Sequence, residues 1–190
     1  MKTKKLLDKK ILLGITGSIA AYKSCELVRL LITEGASVYV MLSQNALQFV
    51  TPLTLRTLSG HPVIQSIFDE ADFSNIMHVQ AAHWADAVLI APATANVIGK
   101  TASGIADDVI TTAVMATQAP IIFAPAMNDQ MYENKIYQEN EAKLKKLGYH
   151  FVQPESGYLA CGYEGMGRLA SLDSIMSTLE KVLLKRNKAS

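Results

Sequence analysis

The chain has 190 residues, 49% of them hydrophobic, and 18 Lys and Arg against 17 Asp and Glu give a formal net charge of +1. That length supports one α/β domain with a sizeable core, and the near-neutral charge excludes a field strong enough to imply nucleic acid or a membrane surface. No apolar run approaches the roughly 20 residues that span a bilayer and no signal-like segment opens the chain, so the expected location is cytoplasmic.

Lysines cluster at the two ends, which read as solvated tails over residues 1–9 and 185–190 around one domain, 10–184. Lys10-Ile-Leu-Leu-Gly-Ile reads as a strand running into the turn Thr16-Gly17-Ser18. Helical periodicity follows from Ser18 to Ile32 with Gly35 as a C-cap, and Val38-Tyr-Val-Met-Leu is a second strand ending at Ser43. This βαβ unit lacks both G-x-G-x-x-G and a ribose-binding acid after its second strand, which disfavours a dinucleotide. At Ser18 the helix start offers either a plain N-cap or a site for a single phosphate. Cys25 falls in the helical pattern as a small buried hydrophobe.

Residues 43–60 read as two helical pieces broken at Pro52, and Pro62-Val-Ile-Gln-Ser as a short third strand. Asp69–Met77 looks like loop and His78–Ala85 like a short helix. Ala87-Val-Leu-Ile-Ala is a buried strand ended by Pro92, followed by the small-residue turn Ala93-Thr-Ala-Asn-Val. Gly99 and Gly104 break the next helical stretch, and Asp107 is read as the cap of a helix over 108–115. Ile121–Ala124 is another strand buried on both faces, ended by Pro125. Asn128 then lies beyond a strand's carboxyl end, either as a helix cap (with Asp129) or as a ligand-facing amide. A charged helix over 134–147, a strand at His150–Val152, an irregular glycine-rich stretch over 154–170 and an amphipathic helix over 172–184 complete the chain. Alternating strands and helices predict an α/β, doubly wound, mostly parallel sheet with helices on both faces, a Rossmann-like arrangement. The high apolar fraction and eight methionines predict self-association.

Six pieces in order resemble the homo-oligomeric flavin-containing cysteine decarboxylases. They are Gly17-Ser-Ile-Ala-Ala-Tyr-Lys23, His78 with Trp84-Ala-Asp86, Ala91-Pro-Ala-Thr-Ala-Asn96, Ala106-Asp-Asp108, Pro125-Ala-Met-Asn128 with Met131, and Leu159-Ala-Cys-Gly162 through Gly165, Gly167 and Arg168. The best match is the branch acting on 4′-phosphopantothenoyl-cysteine in coenzyme A synthesis. The resemblance implies bound FMN, held by Gly17, Ser18, Ser43, Thr94, Ala95, Asn96, Val97 and Ala126. It implies substrate contacts at Asn128, Met131 and Arg168, with Asn128 on the carboxylate. It makes His78 the acid–base residue and Cys161 the proton donor from a mobile, glycine-hinged surface loop, with no metal. His83 is read as a cap or surface residue. Tyr132 departs from the family's tryptophan. The resemblance further implies a homotrimer or homododecamer with a shared active site, and a free-standing carboxy-lyase without the ligase often fused to it. Rival expectations are a peptidyl-cysteine decarboxylase, a flavin prenyltransferase, or a non-catalytic FMN-binding regulatory subunit.

Overall fold

The computed structural model describes residues 4–68, 70–72 and 75–189. At its centre is β1 (Lys10–Ile15), buried at every position after the first. It pairs in parallel with β2 (Ser37–Leu42) on one side and β6 (Ala87–Ala93) on the other. β3 (Val63–Ile64) lies beyond β2, and β7 (Ile121–Pro125) then β8 (His150–Phe151) lie beyond β6, giving the parallel order β3-β2-β1-β6-β7-β8. The order reverses between β1 and β6, so a crevice opens there outside the carboxyl ends of the strands. This is the doubly wound sheet expected from the alternating pattern.

Strand alternation divides the core in two. Ile11, Leu13 and Ile15 face one way with Val38, Val40 and Leu42, beneath α1 (Lys23–Thr33), α2 (Pro52–Ser59) and α8 (Leu172–Ala189). Leu12, Met41, Val88, Ile90 and Phe123 face the other way, beneath α3 (Met77–Trp84), α4 (Ala95–Ser103), α5 (Val109–Ala116) and α7 (Lys135–Lys146). Each fully buried Leu or Ile contributes roughly 1.5–3 kcal/mol by leaving water, which explains why these strands lack polar positions. Among the described residues no helix is long and apolar enough to cross a membrane.

Several local expectations are revised. The helix expected from Ser18 starts as a 3₁₀ turn, Ile19–Tyr22, and α1 begins only at Lys23. Within 69–77, read as loop, β4 (Glu70–Asp72) pairs antiparallel with β5 (Asn75–Ile76); Asp69, Phe73 and Ser74 lie outside the described residues. β6 runs through Pro92 to Ala93 instead of stopping at the proline: the Pro92 carbonyl accepts from the Thr16 amide and hydroxyl, and the missing N–H is not needed. Gly99 does not break α4, which ends at Gly104 in the left-handed region. Asp108, not Asp107, caps α5, accepting from Ile110 and Thr111 amides in a capping box closed by the Thr111 hydroxyl.

The glycine-rich stretch is not an irregular loop. β9 (Glu155–Tyr158) and β10 (Glu164–Arg168) form an antiparallel hairpin with Gly157 opposite Gly165, and only residues 159–163 turn. A register shift near Gly167, whose φ is 137°, lets the hairpin press against Met127. α8 continues to Ala189, past the expected end at 184. Nor is the start a free tail throughout: Leu6 is buried, the Lys5 amide donates to Glu34 Oε2, and Lys5 Nζ pairs with Glu180 at 3.1 Å.

Candidate functional site

The turns after β1, β2, β6 and β7 meet at the crevice. Buried Thr16 ties two of them together, its hydroxyl donating to the Pro92 carbonyl at 2.7 Å and accepting from the Thr94 amide at 3.0 Å. Gly17 is fixed by packing: a Cβ there would collide with the side chain of Asn45. The turn after β1 can therefore touch the 3₁₀ turn Gln44–Gln48 that follows β2. Ser18 and Ser43 each cap a 3₁₀ turn at this edge, through bonds from the Ala20 and Ala46 amides. First-turn amides have no acceptor within their own helix and so favour an anion.

Two clefts of about 490 Å³ each flank this ridge, a size that suits a small organic ligand. The first holds Ser18, Lys23, Ala126, Asn128, Cys161 and Arg168. The second holds Thr16, Gly17, Ser43, Thr94, Asn96, Val97 and Met131. One end of the second cleft is charged: Lys100 Nζ lies 2.7 Å from Asp107 Oδ1 and 3.1 Å from Asp108 Oδ2. The ammonium hydrogen bond holds the Asp107 carboxyl below its usual range, and the same bond raises the lysine. Two carboxylates against one ammonium leave this cluster net negative.

Asn128 follows β7 and caps α6 (Asp129–Glu133), its Oδ1 accepting from the Gln130 amide at 2.9 Å. The same side chain faces the hairpin turn. Its Nδ2 donates to the Tyr163 hydroxyl at 2.9 Å and lies 3.5 Å from Cys161 Sγ. The Tyr163 hydroxyl in turn donates to Asp129 Oδ1 at 2.7 Å. That bond is the main cause of a lowered Asp129 carboxyl and a raised Tyr163 phenol. Met127 N to Gly167 O, at 2.9 Å, holds the hairpin base against the same turn. One end of the side chain is the helix cap, and the residue also lines the first cleft, so the two alternatives in the sequence do not exclude each other.

The site residues expected from the sequence therefore divide. Asn128, Cys161, Ser18, Ala126 and Arg168 share the first cleft; Gly17, Ser43, Thr94, Asn96, Val97 and Met131 share the second. Ser18 and Ser43, expected on one phosphate, line different clefts. Ala95, the first residue of α4, lines neither. His78 also lines neither and is buried on α3. Sequence reasoning left out Thr16, Lys100 and Tyr163 as site residues. Thr16 stood in a noted strand-end turn, whereas the other two take their roles from packing. Tyr132, the departure from the family pattern, donates to Gln153 Oε1 at 2.9 Å and packs at a tilt against the Tyr137 ring, so its polar tip is satisfied without touching either cleft. No group of three or more potential metal ligands occurs among the described residues.

Residues 1–184 match the family model described as Flavoprotein. The chain is 47% identical over 176 residues to the coenzyme A biosynthesis bifunctional protein CoaBC of Bacillus subtilis, covering 93% of this chain but 43% of that protein. The chain thus spans less than half of that bifunctional relative. It is 46% identical to a probable phosphopantothenoylcysteine decarboxylase of Streptococcus mutans, covering 93% of this chain and 100% of that one. Among solved structures, an FMN-dependent cysteine decarboxylase, SpaF, superposes with a TM-score of 0.81 at 27% identity over 95% of this chain and 98% of the other. A PPC decarboxylase mutant complexed with pantothenoylaminoethenethiol superposes with a TM-score of 0.79 at 30% identity, over 90% and 96%.

Proposed function

Because the chain belongs to the flavoprotein family, we propose that it binds FMN and decarboxylates 4′-phosphopantothenoyl-cysteine to 4′-phosphopantetheine in coenzyme A synthesis. The observation that carries this reading is the ridge on which two clefts meet, with Asn128 beside Cys161 on one side and a small-residue shelf on the other. Gly17, Ser43, Thr94, Asn96 and Val97 would hold FMN in the second cleft. The fit is chemical as well as spatial: hydroxyl caps and helix-start amides suit a phosphate, and Gly17 keeps the wall flat. FMN, when bound, supplies the transient two-electron oxidation that gives a cysteinyl carboxylate an electron sink.

The chain's residues do the rest. Asn128 Nδ2 donates one hydrogen to Cys161 Sγ, a weak acceptor that the substrate carboxylate would displace, and its Oδ1 is already committed to Gln130. Arg168 and Lys23 give the first cleft positive charge for an anionic substrate. Met131, which lines the second cleft, would contact the substrate. Cys161 Sγ would hold the proton that replaces the departing carboxylate, since a thiol gives up a proton readily. The acid–base role of His78 rests on the family pattern alone, since the residue is buried on α3 and lines neither cleft. The net reaction exchanges carbon dioxide for a proton and is redox-neutral.

We also propose that the protein self-assembles as a homotrimer or a multiple of one. Ile19, Tyr22, Phe49 and Leu53 are exposed on and beside the two 3₁₀ turns that border the clefts, a concentration of apolar surface that association would cover. The function is tested by incubating the purified protein with phosphopantothenoyl-cysteine. Oxidised-flavin absorbance, FMN released on denaturation, and stoichiometric carbon dioxide and phosphopantetheine are expected. Bound FMN without turnover points to a regulatory subunit, and turnover of a peptide ending in cysteine points to a peptidyl-cysteine decarboxylase.

A further inference from the structure

We infer that Tyr163 is a positioning residue: its hydroxyl latches the hairpin turn to Asn128 and sets that amide for the substrate carboxylate. The inference rests on the decarboxylase reading for its substrate, but the latch itself is geometric. A phenol has one hydrogen to donate, and the Asp129 carboxylate at 2.7 Å can only accept it. The bond to Asn128 at 2.9 Å must then run the other way, with Nδ2 as donor. A second, independent constraint gives the same orientation, because the Gln130 amide at 2.9 Å needs Oδ1 as its acceptor. Both ends of the amide are fixed. The second Nδ2 hydrogen is donated across the cleft to Cys161 Sγ at 3.5 Å, a weak acceptor that a substrate carboxylate would displace.

The turn that carries Tyr163 is closed on itself by bonds from Leu159 N to Tyr163 O at 2.8 Å and from Gly162 N to Leu159 O at 3.0 Å. Holding Tyr163 therefore holds Cys161, at the tip of the same turn. The hairpin base is secured separately, through Met127 N to Gly167 O and the strand pairing itself. Loss of the phenol hydroxyl should release the tip and the amide while leaving the hairpin docked, which separates positioning from folding.

The test uses the full-length, FMN-loaded protein carrying Tyr163→Phe. KM for phosphopantothenoyl-cysteine is expected to rise about tenfold with kcat changed less than about threefold, the loss of one orienting hydrogen bond at a charged group. Asp129→Asn, which keeps an acceptor for the phenol, should shift KM in the same direction but less. Tyr163→Phe combined with Asp129→Asn should be no worse than Tyr163→Phe alone, because the carboxylate acts through the phenol. A second readout needs no substrate. In a Cys25→Ala background, iodoacetamide should alkylate Cys161 several-fold faster once Tyr163 is phenylalanine, with the melting temperature unchanged. An unchanged KM or an unchanged alkylation rate overturns the inference. If the parent protein turns over no phosphopantothenoyl-cysteine, the substrate assignment falls, and the alkylation rates still decide whether the latch exists.

Discussion

At the scale of single residues, every polar atom of the Asn128 amide has a partner. Oδ1 accepts from the Gln130 amide, one Nδ2 hydrogen goes to Tyr163 and the other to Cys161 Sγ, the weakest acceptor of the set and the one a substrate carboxylate would displace. Cys161 shares that amide and is the only sulfhydryl in either cleft among the described residues. Cys161→Ser should therefore still release carbon dioxide but fail to complete the product, since a hydroxyl is a far weaker acid than a thiol. Mass spectrometry is expected to show a product two hydrogens lighter than phosphopantetheine, and full phosphopantetheine at the parental rate would remove Cys161 from the proton-donor role. Much at this scale was legible beforehand. Asn128 and Thr94 announce themselves by following buried strands, where a parallel sheet presents its ligand edge. Tyr163 does not, because its partner is 35 positions away and the two meet only after the hairpin docks. Nothing local distinguishes it from an ordinary surface tyrosine.

Elements with one dominant signal are the ones the sequence specifies well. β1, β2, β6 and β7 are apolar runs, and each is a central strand. Several of the misreadings come from glycine and proline, whose meaning depends on what lies opposite. Gly157 and Gly165 look like loop residues in the sequence; paired across β9 and β10 they allow Arg168 to lie close over Gly157 and β10 to lie close to Asp129. Gly167 is the sharpest case, since it combines a φ of 137° with a position where a Cβ would collide with the Met127 carbonyl. Gly167→Ala should therefore lift the hairpin from the turn after β7, at a cost of about 1–3 kcal/mol in local stability. Faster protease cleavage within 159–163 is expected, with little change in the sheet's far-ultraviolet signal. Gly104→Ala is the control: it shares the positive φ but meets no atom within 4 Å, so strain without collision should leave cleavage in 159–163 unchanged. Equal cleavage in both variants would mean that the hairpin is not held through Gly167.

At the scale of the whole molecule, both faces of the six-stranded sheet are covered, and its carboxyl end is the side that carries the clefts. Phe49 and Leu53 stand exposed on that side, at the end of the second 3₁₀ turn and in the first turn of α2. Leu53 keeps 64% of its surface in water, which is costly for a side chain worth roughly 1.5–3 kcal/mol when buried, unless another protomer covers it. The self-association proposed above would run through this face, closing the clefts from outside while leaving the two cores unchanged. Sedimentation should then report three protomer masses or a multiple. Phe49→Asp with Leu53→Asp should shift the population toward single protomers, weakening association by about 100-fold or more, because each change removes apolar burial and places a charge in the contact. FMN retention should fall in the same variant, since Ser43 caps the turn that leads into Phe49. Leu147→Asp is the comparison, equally exposed but at the far end of α7 beside no cleft wall of the proposed site. Dissociation by Leu147→Asp with an intact Phe49 and Leu53 variant would move the interface to α7 and separate assembly from the flavin cleft.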